Sequence, residues 1–459
     1  MEPLLDRHPL DRLIRQLSFA DTTMLVVASV IGVGIFLTPG TVAHILPHPG
    51  LILAAWFAGG LLSLAGALAN AELGAMYPHA GGDYVYVREA IHPVAGFLIG
   101  WLSFFAIYAG TVATLAVGFA EGLANFVPLD APGRTGVAIA VTLMTSAINY
   151  RGVRLGARFN NIAGAAKIIA LVGLAILGPL LGNAHLGYLT EVSLDGTSVS
   201  LAAFGLALSP ILFSYLGWNA PVYVASEIRE PGRTIPSALF LGLGICTAIY
   251  LFVNLAYLMA LPMSTLRGEL RVGEAAARAL FGPAGGVIAA VLILISIVSC
   301  LNATILVGPR IVYAMALDDL FHRAVRGVHA RHRTPHVAIV VQGLTAMALI
   351  LLLRSFPSVL DYTTFAIVLA TMVDTAALYA LRWRQPARRR PYRAWGYPIV
   401  PALYLLANGG IATAMLWGRP TECGVALMVV ASGLPFYLAF TRRAAARRVS
   451  PTTAKQSAR

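Results

Sequence analysis

Two charged side chains fall well inside long apolar stretches of this chain: Lys167, in Gly164-Ala165-Ala166-Lys167-Ile168-Ile169, and Asp374, in Ala370-Thr371-Met372-Val373-Asp374-Thr375-Ala376. An ionisable group in an apolar medium is costly unless it is paired or has a task. For Asp374 two readings stand: a carrier of protons, or a polar group that satisfies a neighbouring helix. Lys167 either snorkels to an interface about two turns away or fills the place where a sodium ion would bind, packed against the first apolar run. Glu227 and Arg229, in Glu227-Ile228-Arg229-Glu230-Pro231-Gly232-Arg233, alternate in sign beside a turn. They read as ion pairs that lock a gate, or as a solvated loop.

A second kind of chemistry needs only backbone. In Ser29-Val30-Ile31-Gly32-Val33-Gly34-Ile35-Phe36 two glycines one residue apart weaken a helix where no water can repair it. Freed amides at Gly32 and Gly34 can donate to a carboxylate, helped by the positive end of the following half-helix, and the carbonyls of Val30 and Ile31 can take an ammonium. Small-residue packing against a neighbouring helix is the rival reading. A second weak point, Ser209-Pro210-Ile211-Leu212-Phe213-Ser214-Tyr215-Leu216-Gly217-Trp218-Asn219-Ala220-Pro221, interleaves hydroxyl, phenol and indole groups with Gly217 and Pro221. Phe213 is the candidate lid over a bound solute, against ordinary aromatic packing.

Catalytic and metal chemistry find no such support. Cys246, Cys300 and Cys423 lie in or beside apolar runs without metal-ligand spacing, and the histidines from His322 to His336 are irregularly spaced among arginines. No cofactor is expected.

The elements that must hold these residues are membrane helices. Hydrophobic residues make up 58% of the chain and charged ones 12%, with a mean hydropathy of +0.76, against about 25% charged in soluble domains. Apolar runs recur at lengths that match a hydrocarbon layer of about 30 Å, without the ten-residue alternation of a barrel. Twelve spans are expected, at 22–45, 50–76, 94–120, 134–149, 161–182, 202–226, 236–261, 284–317, 336–353, 358–381, 398–417 and 422–440. The last part of span 8 is expected to run on along the membrane surface. The first span lacks a cleavage site and is expected to stay in the mature protein.

Lys and Arg crowd both tails and one set of loops, whereas the other set holds only Arg134, Arg267, Arg271, Arg278, Arg354 and Arg419. Both termini are therefore expected in the cytoplasm. The net charge of +13 is explained by this bias, with anionic lipid headgroups rather than nucleic acid as partners. Spans 1 and 6 carry the breaks five spans apart, and five is odd, so an inverted repeat is expected. The division is 1–21 as an N-terminal segment, 22–182 and 202–381 as the two repeats, 398–440 as two added spans, and 441–459 as a basic tail.

Motif order extends this reading. Gly32-Val33-Gly34-Ile35-Phe36, Ala71-Glu72-Leu73-Gly74 through Pro78 with Gly81-Gly82-Asp83-Tyr84, Asn149-Tyr150-Arg151-Gly152, Phe213 to Trp218 with Glu227, Arg310-Ile311-Val312-Tyr313, Thr334-Pro335 and Tyr397-Pro398 follow one another in a specific order. The chain resembles the amino acid–polyamine–organocation superfamily, most of all bacterial permeases related to L-type transporters and serine/threonine exchangers. That resemblance implies an all-α integral membrane protein of the bacterial cytoplasmic membrane, with a leucine-transporter-like five-plus-five inverted repeat and twelve transmembrane helices. It implies that Gly32, Val33 and Gly34 bind the α-carboxylate and amino group, that Phe213, Ser214, Tyr215 and Gly217 hold the amino group and side chain, and that Lys167 stands in for sodium. Trp218 joins the gating set. Val33 and Leu216 are bulkier than the residues usual there, which favours a smaller solute, and Asp318-Asp319-Leu320 departs from the usual Asp-Gly.

The function expected is sodium-independent transport of a neutral or small amino acid by alternating access, as an exchanger or with protons. A cationic amino-acid or polyamine antiporter is the alternative within transport, and would need an acidic pocket facing the breaks. A membrane enzyme or nutrient receptor is the alternative of another class.

Overall fold

Local signals in the sequence set the element boundaries. The computed structural model describes residues 11–191, 200–353 and 356–449, with side chains described except at 201–202, 353–361 and 444–449. The first ten residues, the tail beyond Val449 and Arg354 lie outside this set. Ser18 caps α1 (Phe19–Val30) in a reciprocal box with Asp21, which satisfies two otherwise unpaired amides. After three non-helical residues α2 (Gly34–Ile45) resumes at 43° to α1. His48 caps α3 (Pro49–Met76), with Pro49 at the first helical position, where its missing N–H costs nothing.

The short α4 (Asp83–Ala90) follows Gly81 and Gly82, both at positive φ. Next come α5 (Pro93–Leu102), a π-helical segment Ser103–Tyr108 and α6 (Ala109–Leu123), which together form one continuous span. Asp130 caps α7 (Ala131–Tyr150), and α8 (Val153–Leu181) starts at Gly152, whose φ is +142°. Ser200 caps α9 (Leu201–Tyr215), which ends at a turn before the one-turn α10 (Ala220–Tyr223). Then follow α11 (Pro231–Ala260), α12 (Met263–Leu266), α13 (Val272–Val307), α14 (Pro309–Leu317), α15 (His336–Leu353), α16 (Phe356–Arg384), α17 (Ile399–Gly418) and α18 (Pro420–Val449).

Among the described residues, eight helices are long and apolar enough to cross a membrane, nine if α1 and α2 count as one bent span. Twelve were expected. The difference falls at 134–149, 202–226 and 336–353. There α7 carries Arg134 and several Thr, Ser and Asn residues, while α9 and α15 offer only short apolar lengths. Span 8 also differs: its helix begins at Val272 and kinks at Gly282, where φ is +77° and ψ −170°. Ten residues of helix thus precede the kink, and α14 follows Gly308, whose φ and ψ are helical.

Large apolar side chains point outward along the long helices: Ile162 and Ile169 on α8 are 73% and 72% exposed, and Trp417 on α17 is 86% exposed. This is the distribution of a multi-pass membrane protein, in which lipid replaces a second protein layer. The broken elements lie inside. The α1 helix packs on α11 and α8, α2 on α9, and α13 on α8 and α6, whereas α17 and α18 are peripheral.

Candidate functional site

The two weak points meet. A Cβ on Gly34 would lie 2.5 Å from Ser214 Oγ and 2.7 Å from its Cα, and a Cβ on Gly217 would lie 2.8 Å from the Ser29 carbonyl oxygen. Each break therefore needs a glycine to let the other backbone approach. Gly217 also has φ +99°, a conformation that L side chains rarely adopt. Two hydroxyls fasten the crossing. Tyr250, from α11, places its hydroxyl 3.0 Å from the Val30 carbonyl and 2.8 Å from the Ser214 carbonyl, and Thr38 Oγ1 lies 2.9 Å from Ser214 Oγ.

Lys167 is buried and does not snorkel. Its Nζ donates to the carbonyls of Ile31 at 2.6 Å and Ala28 at 3.1 Å, so an ammonium sits on the open C-terminal end of α1, where the helix dipole favours positive charge. Neighbouring bonds hold α8 in register with α1: Asn160 donates to the Met24 carbonyl and Asn161 to Asp21. Ser296 adds a third donor to the loose end, at 3.2 Å from the Ile31 oxygen.

These contacts redistribute the expected backbone roles. Ile31 is wholly buried and its carbonyl serves Lys167 and Ser296, so it does not face a solute. The Val30 carbonyl receives the Gly32 amide at 2.8 Å and the Tyr250 hydroxyl. The Gly32 amide is thus spent within the turn. The amides that open α2, those of Val33, Gly34 and Ile35, have no partner within the helix and no side-chain cap.

A cavity of about 120 Å³ lies at the crossing, room for a small solute rather than a drug-sized ligand. Ser29, Val30, Gly32, Val33 and Gly34 line it from the first break, and Phe213, Ser214, Leu216 and Gly217 from the second. The π-helical segment contributes Ile107 and Tyr108, an irregularity of a type that recurs at functional sites. Tyr215 is not in the lining: its ring packs among Trp56 and Tyr250 and its hydroxyl donates to the Trp56 carbonyl. Trp218 faces a smaller neighbouring cavity, which Phe213 and Leu216 also line.

Asp83 lines the main cavity and was missed as a site residue, although its Gly-Gly-Asp-Tyr setting marked the position. Its Oδ2 accepts from the Tyr223 hydroxyl and, at 3.2 Å, from Ser103 Oγ. Asp374 is fully buried beside it, with Asn70 also in its surroundings. Asn302 and Glu72 are tied into structural networks, the first to Asn149 and the Gly156 carbonyl, the second to Arg382 and Arg390.

Beyond the cavity, on the side of the N-terminus, lies a layer of polar contacts. Glu227 is buried and accepts from Nε and Nη2 of Arg310, at 2.7 and 3.1 Å, so it is no solvated loop residue. The carbonyl of Glu227 accepts the amides of Gln16 and Leu17, and the Arg229 amide donates to the Leu17 carbonyl. Arg229 itself projects outward. Asp11 accepts from Ser226 and Tyr313, and Arg88 and Tyr84 both donate to Asp318. Burial holds the His79 imidazole in this layer below its ordinary pKa, so it is neutral at pH 7.

Comparison with known proteins gives this arrangement a family. A family profile described as amino acid permease matches residues 17–429. The chain belongs to the amino acid permease family. The permease is 32% identical over 428 residues to the serine/threonine exchanger SteT of Bacillus subtilis (strain 168), covering 92% of this chain and 95% of the relative. It is 28% identical to the human large neutral amino acids transporter small subunit 2, over 92% of this chain and 80% of that protein. To the human b(0,+)-type amino acid transporter 1 it is also 28% identical, over 93% and 88%. It is thus a multi-pass secondary amino-acid transporter of this superfamily and not an enzyme.

Proposed function

We propose that this permease carries a small neutral amino acid by sodium-independent alternating access, with the solute held where the two breaks cross. The carrying observation is that crossing, with the α2 amides opening beside a cavity of about 120 Å³ and an ammonium already on the carbonyls of Ile31 and Ala28. The solute carboxylate sits at the amides of Val33 and Gly34. Its amino group takes the Ser29 carbonyl, which holds only the weak Cys300 thiol donor at 3.6 Å, whereas the Val30 and Ile31 carbonyls are engaged by stronger donors within the protein. Val33, Leu216 and Phe213 bound the side-chain space and keep it small. Lys167 supplies the fixed charge that a sodium ion would otherwise supply, which removes the need for sodium.

In this reading residues 22–182 and 202–381 are the two inverted repeats of a five-plus-five, twelve-span protein of the bacterial cytoplasmic membrane, and 398–440 are additions. The termini are cytoplasmic, and the layer around Glu227 and Arg310 is the closed cytoplasmic gate. Anionic lipids meet the basic loops.

Asp83 in the cavity wall favours a second reading, a cationic amino acid or polyamine as solute. Counterflow in sealed vesicles separates the two. Preloaded L-serine should drive uptake of labelled small neutral amino acids; exchange confined to arginine, lysine or polyamines would replace the first reading by the second.

A further inference from the structure

Asp83 and Asp374 come from elements 291 positions apart in sequence and lie side by side, both fully buried. The groups that face them from the packed elements are uncharged: Asn70 on α3, Tyr86 on α4, Tyr108 on the π-helical segment, Tyr223 on α10 and Tyr404 on α17. Two adjacent carboxylates in a dry site repel by far more than the cost of leaving one protonated, so such pairs share a proton.

The surroundings say which carboxyl carries it. Asp83 receives two hydroxyl donors on Oδ2, which stabilises its anion, and its Oδ1 has no other donor. Neither oxygen of Asp374 accepts a bond of good geometry. Asp374 therefore holds the proton and donates it toward Asp83. We propose that this carboxyl pair is the coupling site of the permease, loading one proton for each solute moved against its gradient. The proposal rests on the transport reading above.

The placement of Tyr223 gives the coupling a route. It lies on α10, just past the second break, and its hydroxyl on Asp83 ties that short helix to the pair. When α10 moves with the break, Tyr223 leaves Asp83 and water from the cavity reaches the pair. The O–H bond of Asp374 then breaks, its proton passing through Asp83 to water. On the opposite side of the membrane the same steps run in reverse and reload it. The two-carboxylate state exists only while the pair is hydrated, which forbids proton leakage through the sealed protein.

Two measurements test this. Infrared spectra of the purified protein at neutral pH should contain a protonated-carboxyl stretching band that Asp374→Asn removes; equal spectra overturn the pair. In vesicles, an inside-alkaline gradient should accumulate labelled L-serine several-fold in the native permease, while Asp374→Asn accumulates none and still exchanges serine in counterflow. Accumulation by Asp374→Asn equal to the native protein, or accumulation driven by sodium instead of protons, overturns the coupling. Serine counterflow without proton-driven accumulation would leave the transport reading standing and sink this one, whereas the carboxyl band without counterflow of any amino acid would sink the transport reading and the coupling with it, leaving only a shared proton.

Discussion

The ammonium of Lys167 lies 2.6 Å from the Ile31 carbonyl oxygen, at the point where α1 stops being a helix. A buried cation here satisfies groups that the break leaves open, so its removal acts on both folding and transport. Lys167→Ala should destabilise the protein by about 1–3 kcal/mol, the cost of leaving buried acceptors unpaired, and should reduce counterflow at least tenfold. Thermal unfolding and vesicle exchange measure the two effects. Arginine should not rescue, because a planar fork does not fit a site shaped for a point charge.

Tyr250→Phe removes a single oxygen that bridges the Val30 and Ser214 carbonyls. The ring stays packed against Trp56 and Tyr215, so the helix remains in place. Stability should fall by about 0.5–1.5 kcal/mol, the net worth of one hydrogen bond, and the solute concentration for half-maximal exchange should rise. An unchanged half-maximal concentration would show that fixing the crossing has no bearing on binding.

The glycines of the first break are not equivalent. A Cβ on Gly32 meets nothing closer than Cys300 Sγ, at 3.5 Å, whereas one on Gly34 collides with Ser214 backbone. Gly32→Ala should fold and retain exchange; Gly34→Ala should lose exchange and unfold at lower temperature. The order is read by expressing both variants and comparing melting curves with serine counterflow, and a reversed order would contradict the crossing.

In the polar layer, Glu227→Gln strands the Arg310 guanidinium in a dry site and should cost about 3–5 kcal/mol. Replacing both partners by apolar residues should cost less than either single change, since no lone buried charge remains. Melting temperatures of the three variants decide this.

Local sequence marks some of these features and leaves others unmarked. The interruption at Gly32 and Gly34 and the partner break near Gly217 were legible because each violates helix rules locally, whereas Lys167 was marked only as a charge in an apolar run, with snorkelling and an inward position both open. Which carbonyls and amides those breaks leave free was not. That depends on Tyr250 and Ser296, which arrive from α11 and α13 with no local mark of their role. Tyr215 looked like a solute contact by its place in the break, but the turn of α9 carries it to the opposite side, against Trp56. The pairing of Asp83 with Asp374 was illegible for the same reason: neither position announces a neighbour on a distant helix. Of the twelve expected spans, nine pass on length and apolar content among the described residues, and the other three coincide with α7, α9 and α15, helices too short or too polar to declare themselves by composition.

The reciprocal fit of Gly34 against Ser214 and of Gly217 against Ser29 has a mechanical corollary. With backbone seated directly on backbone, neither interrupted helix has clearance to pivot while the other stays still. In the alternating-access reading proposed above, the two swing as a single axle, and whatever opens one vestibule of the permease is geared at that point to shutting the other.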